Sequence, residues 1–220
     1  MSDRRKFWPR FCRNRLAVIS LLFLVLIHLV AFLAPFIAPY SPEKINLLQR
    51  FAPMSAEHLL GTDENGRDVL SRLIYGGRIS LGVGFVSVLM SVTLGTILGG
   101  IAGYFGGAID SLLMRLADGM LSIPLFFFIL MALALFGSSL TNIILAIALT
   151  SWMAVARVVR GEVLSCKALE YVEAAHSLGA GHFRIFCYHI LPQAIPSIIV
   201  AATLGVAYAI LTESALSYLG

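Results

Sequence analysis

Residues 119–156 read GMLSIPLFFFILMALALFGSSLTNIILAIALTSWMAVA, 38 positions without one Asp, Glu, Lys or Arg. As a straight helix rising 1.5 Å per residue this run would reach roughly 57 Å, nearly twice a hydrocarbon core of about 30 Å. The chain therefore has to turn back within it, and Gly137-Ser138-Ser139 supplies the turn between spans near 119–136 and 141–157. Three more charge-free runs extend the count. Residues 16–42 hold a first span over 16–38, ahead of Pro39 and Pro42; residues 79–109 hold a second near 79–102. The run 185–212, interrupted by Pro192 and Pro196, leaves a fifth span from about 194 to 214. These runs describe an all-α, polytopic membrane helical bundle.

Composition agrees with the spans. The chain is 59% hydrophobic and 13% charged, where soluble domains have about 45–50% and about 25%. That surplus excludes a disordered chain. Three cysteines, Cys12, Cys166 and Cys187, without a C-x-x-C spacing, exclude a disulfide scaffold and read as reduced thiols.

Basic residues orient the spans, because cytoplasmic loops carry the excess of Lys and Arg. Arg4, Arg5, Lys6, Arg10, Arg13 and Arg15 crowd residues 1–15 and make that segment cytoplasmic. Alternation then puts 39–78 outside, with five basic and five acidic residues, and 157–193 inside with Arg157, Arg160, Lys167 and Arg184. The net charge of +4 thus reports membrane orientation and not nucleic-acid binding, for which no aromatic interleaving or base-reading module is present. The first apolar stretch exceeds the 7–15 residues of a signal-peptide core and reads as a retained anchor.

The chain has no G-x-x-x-x-G-K-[ST] phosphate loop, no H-E-x-x-H and no G-x-S-x-G. It is therefore read as non-enzymatic, with no cofactor or metal of its own. His28, the histidine inside a span, reads as a hydrogen-bonded side chain facing the bundle, with a path or gate role as the alternative. Small residues predict close helix packing: Gly95, Gly99 and Gly103 recur every four residues, and Ala201, Gly205 and Ala209 form a second ridge with Glu213 one step beyond. A carboxylate at Glu213 should face protein or water and is a second candidate for the path or gate.

Between the fourth and fifth spans lies a long loop, 162–192, where helix connections usually take 2–8 residues. Ala168, Tyr171, Val172, Ala175 and Leu178 recur at helical spacing opposite Glu170, Glu173 and Ser177, predicting a short amphipathic helix. Gly179 and Gly181 break it, and a second apolar segment runs to a stop at Leu191-Pro192. Two short helices hinged at glycine make a projecting elbow suited to receive force from a soluble partner. Periodicity alone allows equally a helix resting on lipid headgroups.

These residues resemble a known pattern. Glu173-Ala174-Ala175, Gly179 and Leu191-Pro192 fall in register with the loop E-A-A-x3-G-x9-I-x-L-P of ABC importer permeases, with His189 in place of the pattern's Ile. The stretch Gly61-Thr62-Asp63-Glu64-Asn65-Gly66-Arg67-Asp68-Val69-Leu70-Ser71-Arg72 closely resembles G-T-D-x-x-G-R-D-V-L-S-R of the dipeptide, oligopeptide and nickel permeases. Ala-Gly-Tyr-Phe-Gly-Gly at 102–107 extends the likeness, which covers nearly the whole chain.

The resemblance implies the permease fold of a type I importer in a bacterial cytoplasmic (inner) membrane. It implies a second permease subunit, identical or different, as partner, two cytoplasmic ATPases that bind ATP and Mg, and an external substrate-binding protein. Di- or oligopeptides are the implied cargo, with nickel or another small solute as the alternative. The helix carrying Glu173 would couple to the ATPase. For 58–72 the plain reading is an external helix covering the bundle, and its balanced charges suit surface or subunit contacts as well as substrate contact. The family has six spans and continues beyond Ser217-Tyr218-Leu219-Gly220, so a chain truncated at its C-terminus is expected. From other classes, a secondary carrier or channel and a membrane scaffold remain as competing readings.

Overall fold

The computed structural model describes residue 9 and residues 11–219, so Arg4, Arg5, Lys6 and Arg10 of the basic cluster lie outside the described residues. The chain divides into two compact units, Met1–Leu81 and Gly82–Gly220.

In the first unit Asn14 starts α1, Arg15–Phe32, by accepting a hydrogen bond from the Ala17 N–H at 3.3 Å. Only Ala31 of this helix is buried, while leucines and phenylalanines are exposed all round. A helix apolar on every face needs lipid as its solvent. His28 is exposed, and its Nδ1 lies 2.8 Å from the Leu24 carbonyl. One turn back along its own helix, that carbonyl meets the hydrogen-bonding need expected of an intramembrane histidine. A short α2, Ala34–Ile37, follows with Pro35 in its first turn.

Residues 46–72 fold on themselves. Gly61 and Gly66 have φ of +72° and +69°, and a Cβ on Gly61 would sit 2.6 Å from the Ala52 carbonyl, while one on Gly66 would collide with that of Asn46. Thr62 and Asp68 pair as an isolated antiparallel bridge. Asp68 then caps α3, Val69–Phe105: its carboxylate accepts from the Ser71 N–H at 2.8 Å and the Ser71 hydroxyl at 2.7 Å. This cap moves the helix start ten residues ahead of the expected 79. The charge-free run marks where lipid begins, whereas the cap marks where the helix begins, so Arg72 and Arg78 belong to a helix of 37 residues and not to an external loop.

In the second unit a turn at Gly106 and Gly107, with φ of +67° and +56°, leads from α3 into α4, Gly107–Leu121. The expected span near 119–136 is corrected here. It contains the end of α4 and a separate α5, Leu125–Phe136, and the two helices meet at 82°. Pro124 explains the break: it lacks an N–H, and its ring disfavours the helical conformation for the residue before it. At 12 residues, about 18 Å, α5 is too short to cross a bilayer alone.

The turn at Gly137 (φ +89°) is closed by the Asn142 amide, which donates to the Phe136 and Gly137 carbonyls at 2.8 Å each. Ser139 caps α6, Leu140–Lys167, whose 28 residues exceed the expected 141–157. After the elbow, α9 covers Leu191–Leu219 with Pro196 inside it. Among the described residues, four helices are long and apolar enough to cross a membrane, five if the bent α4–α5 pair counts as one span.

Helix α6 is the hub. The small-residue ridge of α3 lies against it: a Cβ on Gly95 would fall 2.6 Å from the Val155 Cβ, one on Gly99 would strike the Ala156 backbone, and one on Gly103 would fall 2.8 Å from the Val163 Cβ. Ile129, Ile147, Met153, Val159 and Val163 are among the fully buried side chains around it. The Arg160 guanidinium clamps Asp110 of α4 with two bonds of 2.7 and 2.6 Å, and Arg157 pairs with Asp118. Pairing Arg and Asp across helices reduces the cost of keeping charges at a bundle edge.

Candidate functional site

The elbow begins where Ala168 ends α6. Helix α7, Glu170–Ser177, places Glu170 and Glu173 in its first turn, where carboxylates complement the helix dipole. Its other end explains the E-A-A-x3-G spacing. The Gly179 N–H donates to the His176 carbonyl at 2.9 Å and the Ala180 N–H donates to the Ala175 carbonyl at 3.1 Å, with Gly179 at φ +78°. This paired closure needs a left-handed residue at position 179. Gly181, by contrast, has φ −66° and ordinary extended backbone, so only one of the two expected glycine hinges is conformationally demanding.

The apolar stripe of α7 is divided. Val172 is buried, Ala175 is half-buried, and Tyr171 and Leu178 are exposed, Leu178 at 89%. Glu173 and Ala174 are exposed beside them, and Phe183 of α8, His182–Ile185, is 80% exposed. The elbow therefore displays acidic and apolar groups together around one small residue.

The expected stop at Leu191-Pro192 does not occur. Residues Phe186–Ile190 form a π-helical turn in which the Leu191 N–H reaches back five residues to the Phe186 carbonyl. Pro192 has no N–H to lose, so the widened turn passes it without a break. The elbow consequently runs straight into α9, as one continuous stretch from His182 to Leu219.

Helices α3, α6 and α9, with Leu121 of α4 and Leu125 of α5, line an open cavity of about 750 Å³. Ser91, Thr150, Ser151, Ser197 and Tyr208 give it hydroxyls, and most of the remaining wall is aliphatic, including Ala201 and Gly205 of the second ridge. Ala209 and Glu213, farther along that ridge, are buried, and the Ser217 hydroxyl donates to the Glu213 carboxylate at 2.9 Å. The Ser197 hydroxyl donates to Glu162 of α6 at 2.5 Å, tying α6 to α9 at the cavity. This bond and the Arg160–Asp110 clamp were not legible in the sequence, because partners 35 and 50 residues apart leave no local pattern.

The Gly61–Arg72 segment spends its charges on itself. Asp63 accepts from the N–H groups of Asn65 and Arg67 at 2.8 and 2.9 Å, from the Arg67 side chain at 2.8 Å and from Arg72. Asp68 also meets His58 Nδ1 at 2.9 Å. Burial pushes the Asp63 carboxyl up, but those N–H groups and the Arg67 guanidinium outweigh it and hold the group at about 2, below the ordinary 3.8. Asp68 is likewise lowered against its burial by His58 and Ser71. Among the described residues no group of three His, Cys, Asp or Glu could hold a metal ion.

A carboxyl lowered in the folded state stabilises it above the unfolded pKa, and that stabilisation fades as pH falls toward the folded value. The 46–72 fold should therefore lose protease resistance between about pH 4 and pH 2. Asp63→Asn should start less resistant and show a weaker pH dependence, measured by limited proteolysis with pepsin in detergent.

A model of the binding-protein-dependent transport system inner membrane component matches residues 95–220. The chain belongs to this family. A model of the N-terminal transmembrane domain of oligopeptide transport permease C matches residues 2–53 of the same permease. Among its relatives are the dipeptide transport system permease protein of Bacillus subtilis (strain 168), 43% identical over 220 residues, and the oligopeptide transport system permease protein of the same organism, 41% over 211. These alignments cover 100% and 96% of the chain and 69% of each relative. The nickel transport system permease protein of Escherichia coli (strain K12) is 39% identical over 211 residues, covering 96% of the chain and 76% of the relative. The permease is thus a non-catalytic membrane subunit of the peptide and nickel ABC importer family, which works with ATPase and substrate-binding partners.

Proposed function

We propose that the permease supplies one half of the translocation path of an ATP-driven importer of di- or oligopeptides, and that α7 is the surface on which a cytoplasmic ATPase pushes. The observation carrying this reading is mechanical. The helices that leave the elbow on either side, α6 and α9, also wall the 750 Å³ cavity. A displacement of α7 is therefore delivered to both walls, and binding energy that differs between two arrangements can drive alternating access.

Glu173, flanked by Ala174 and near Leu178, suits a groove with a basic rim and an apolar floor. ATP and Mg are bound by two such ATPase subunits, and a second permease, identical or different, closes the other side of the path. Residues 1–15 and the elbow face the cytoplasm, whereas residues 46–68 face the side where the substrate-binding protein delivers cargo.

The cavity lining favours peptide over a bare metal ion. The described residues that line it offer hydroxyls and aliphatic surface but no carboxylate, imidazole or thiol, the donors through which a nickel ion would be held. In vesicles carrying the whole transporter, ATP-dependent uptake of a radiolabelled dipeptide should exceed that of nickel at least tenfold. Nickel uptake at the higher rate, or dipeptide uptake without the ATPase, would count against this function.

A further inference from the structure

Helices α6 and α9 are continuous or nearly so with the elbow, but α3, the third wall of the cavity, has no covalent link to it. Its cytoplasmic end carries Tyr104, 9% exposed. The Tyr104 hydroxyl lies 2.8 Å from Nδ1 of His182, the first residue after the Gly179–Gly181 hinge. The ring stands edge-on to Phe186 of the π-helical turn, with centroids 6.3 Å apart. Lys167, the last residue of α6, donates from Nζ to the Tyr104 carbonyl at 2.6 Å and lies 5.6 Å from the ring centroid. One side chain thus joins the end of α3, the end of α6 and the start of the elbow's second arm. One turn back along α3, Gly100 leaves room for the Phe186 ring: a Cβ there would sit 2.6 Å from its Cζ.

We propose that Tyr104 is the positioning residue through which movement of the elbow reaches α3, with the Tyr104–His182 bond as the joint. Thirteen residues separate Tyr104 from Ser91 in the cavity wall, about 20 Å of continuous helix. The Gly95, Gly99 and Gly103 contacts along that stretch press α3 backbone to backbone on α6. A rod tied to the elbow's second arm by a hydrogen bond follows that arm's displacement; with only the Phe186 contact left to that arm it can slip, although Lys167 of α6 still donates to the Tyr104 carbonyl. Loss of the bond should therefore separate ATP hydrolysis from transport without releasing the ATPase. The inference rests on the reading of α7 as the ATPase contact.

The test is transport per ATP hydrolysed by the whole transporter in vesicles, with ATPase retention measured beside it. Tyr104→Phe keeps the ring and its packing and removes only the hydroxyl. It should retain the ATPase and hydrolyse ATP within about twofold of the unsubstituted transporter, while transport per ATP falls at least fivefold. His182→Ala should do the same. His182→Asn offers a polar atom close to the place of Nδ1 and should restore most of the ratio, a rescue that a merely structural effect would not produce. An unchanged ratio in Tyr104→Phe, or equal loss in His182→Ala and His182→Asn, overturns the joint while leaving the α7 reading intact. Absence of ATPase from the unsubstituted transporter overturns both.

Discussion

Gly99→Leu should leave almost no folded permease in the membrane. A Cβ at this position strikes the carbonyl, Cα and carbonyl carbon of Ala156, all backbone atoms that cannot rotate away. Overpacking a core usually costs about 1–3 kcal/mol because side chains adjust. Here α3 and α6 must move apart, which also strips Gly95 and Gly103 of their contacts with Val155 and Val163. In lipid, where apolar surface gains nothing by leaving the solvent, such contacts are the main force between helices. Gly82, which has nothing within 4 Å of a Cβ, gives the comparison: Gly82→Ala should fold normally. Monodispersity on size-exclusion chromatography and membrane yield read both variants.

Gly179→Val should abolish uptake while the membrane bundle stays folded. The position has open space around it, so the cost is conformational alone: a β-branched residue at φ +78°. Relief of that strain opens the two hydrogen bonds that end α7 and redirects the chain toward His182. Asn enters the left-handed region far more readily than Val. Gly179→Asn should thus keep a third or more of the uptake, whereas Gly179→Val falls at least tenfold. Equal loss in the two variants would mean that 179 matters for something other than backbone conformation.

How much of this was legible in the sequence depends on whether the deciding residues were neighbours. The turn at Gly137-Ser138-Ser139 and the packing ridge Gly95, Gly99, Gly103 are local patterns, and both could be read directly. Hydropathy misplaces the start of α3 because it registers lipid and not hydrogen bonds, and so it misses the Asp68 cap. The break at Pro124 was hidden inside an unbroken apolar run, and the π-helical turn at 186–190 hid behind a proline that reads as a stop. The pairs Arg160–Asp110, Ser197–Glu162 and Tyr104–His182 form only once distant helices have packed. In Gly61–Arg72 the motif was visible, but its role was not: charges that looked available for partners hold the segment's own fold together.

Contact between α7 and the ATPase, as proposed, can be read directly by crosslinking. Ala174 is exposed, small and adjacent to Glu173, so a probe there disturbs little. Ala174→Cys, in a chain whose Cys12, Cys166 and Cys187 are replaced by Ser, can carry a photoreactive maleimide, with Leu48→Cys, 97% exposed in the 46–68 segment, as the control. Illumination of the assembled transporter should join residue 174 to an ATPase subunit and leave residue 48 free of it. An adduct from residue 48, or none from residue 174, would contradict the account.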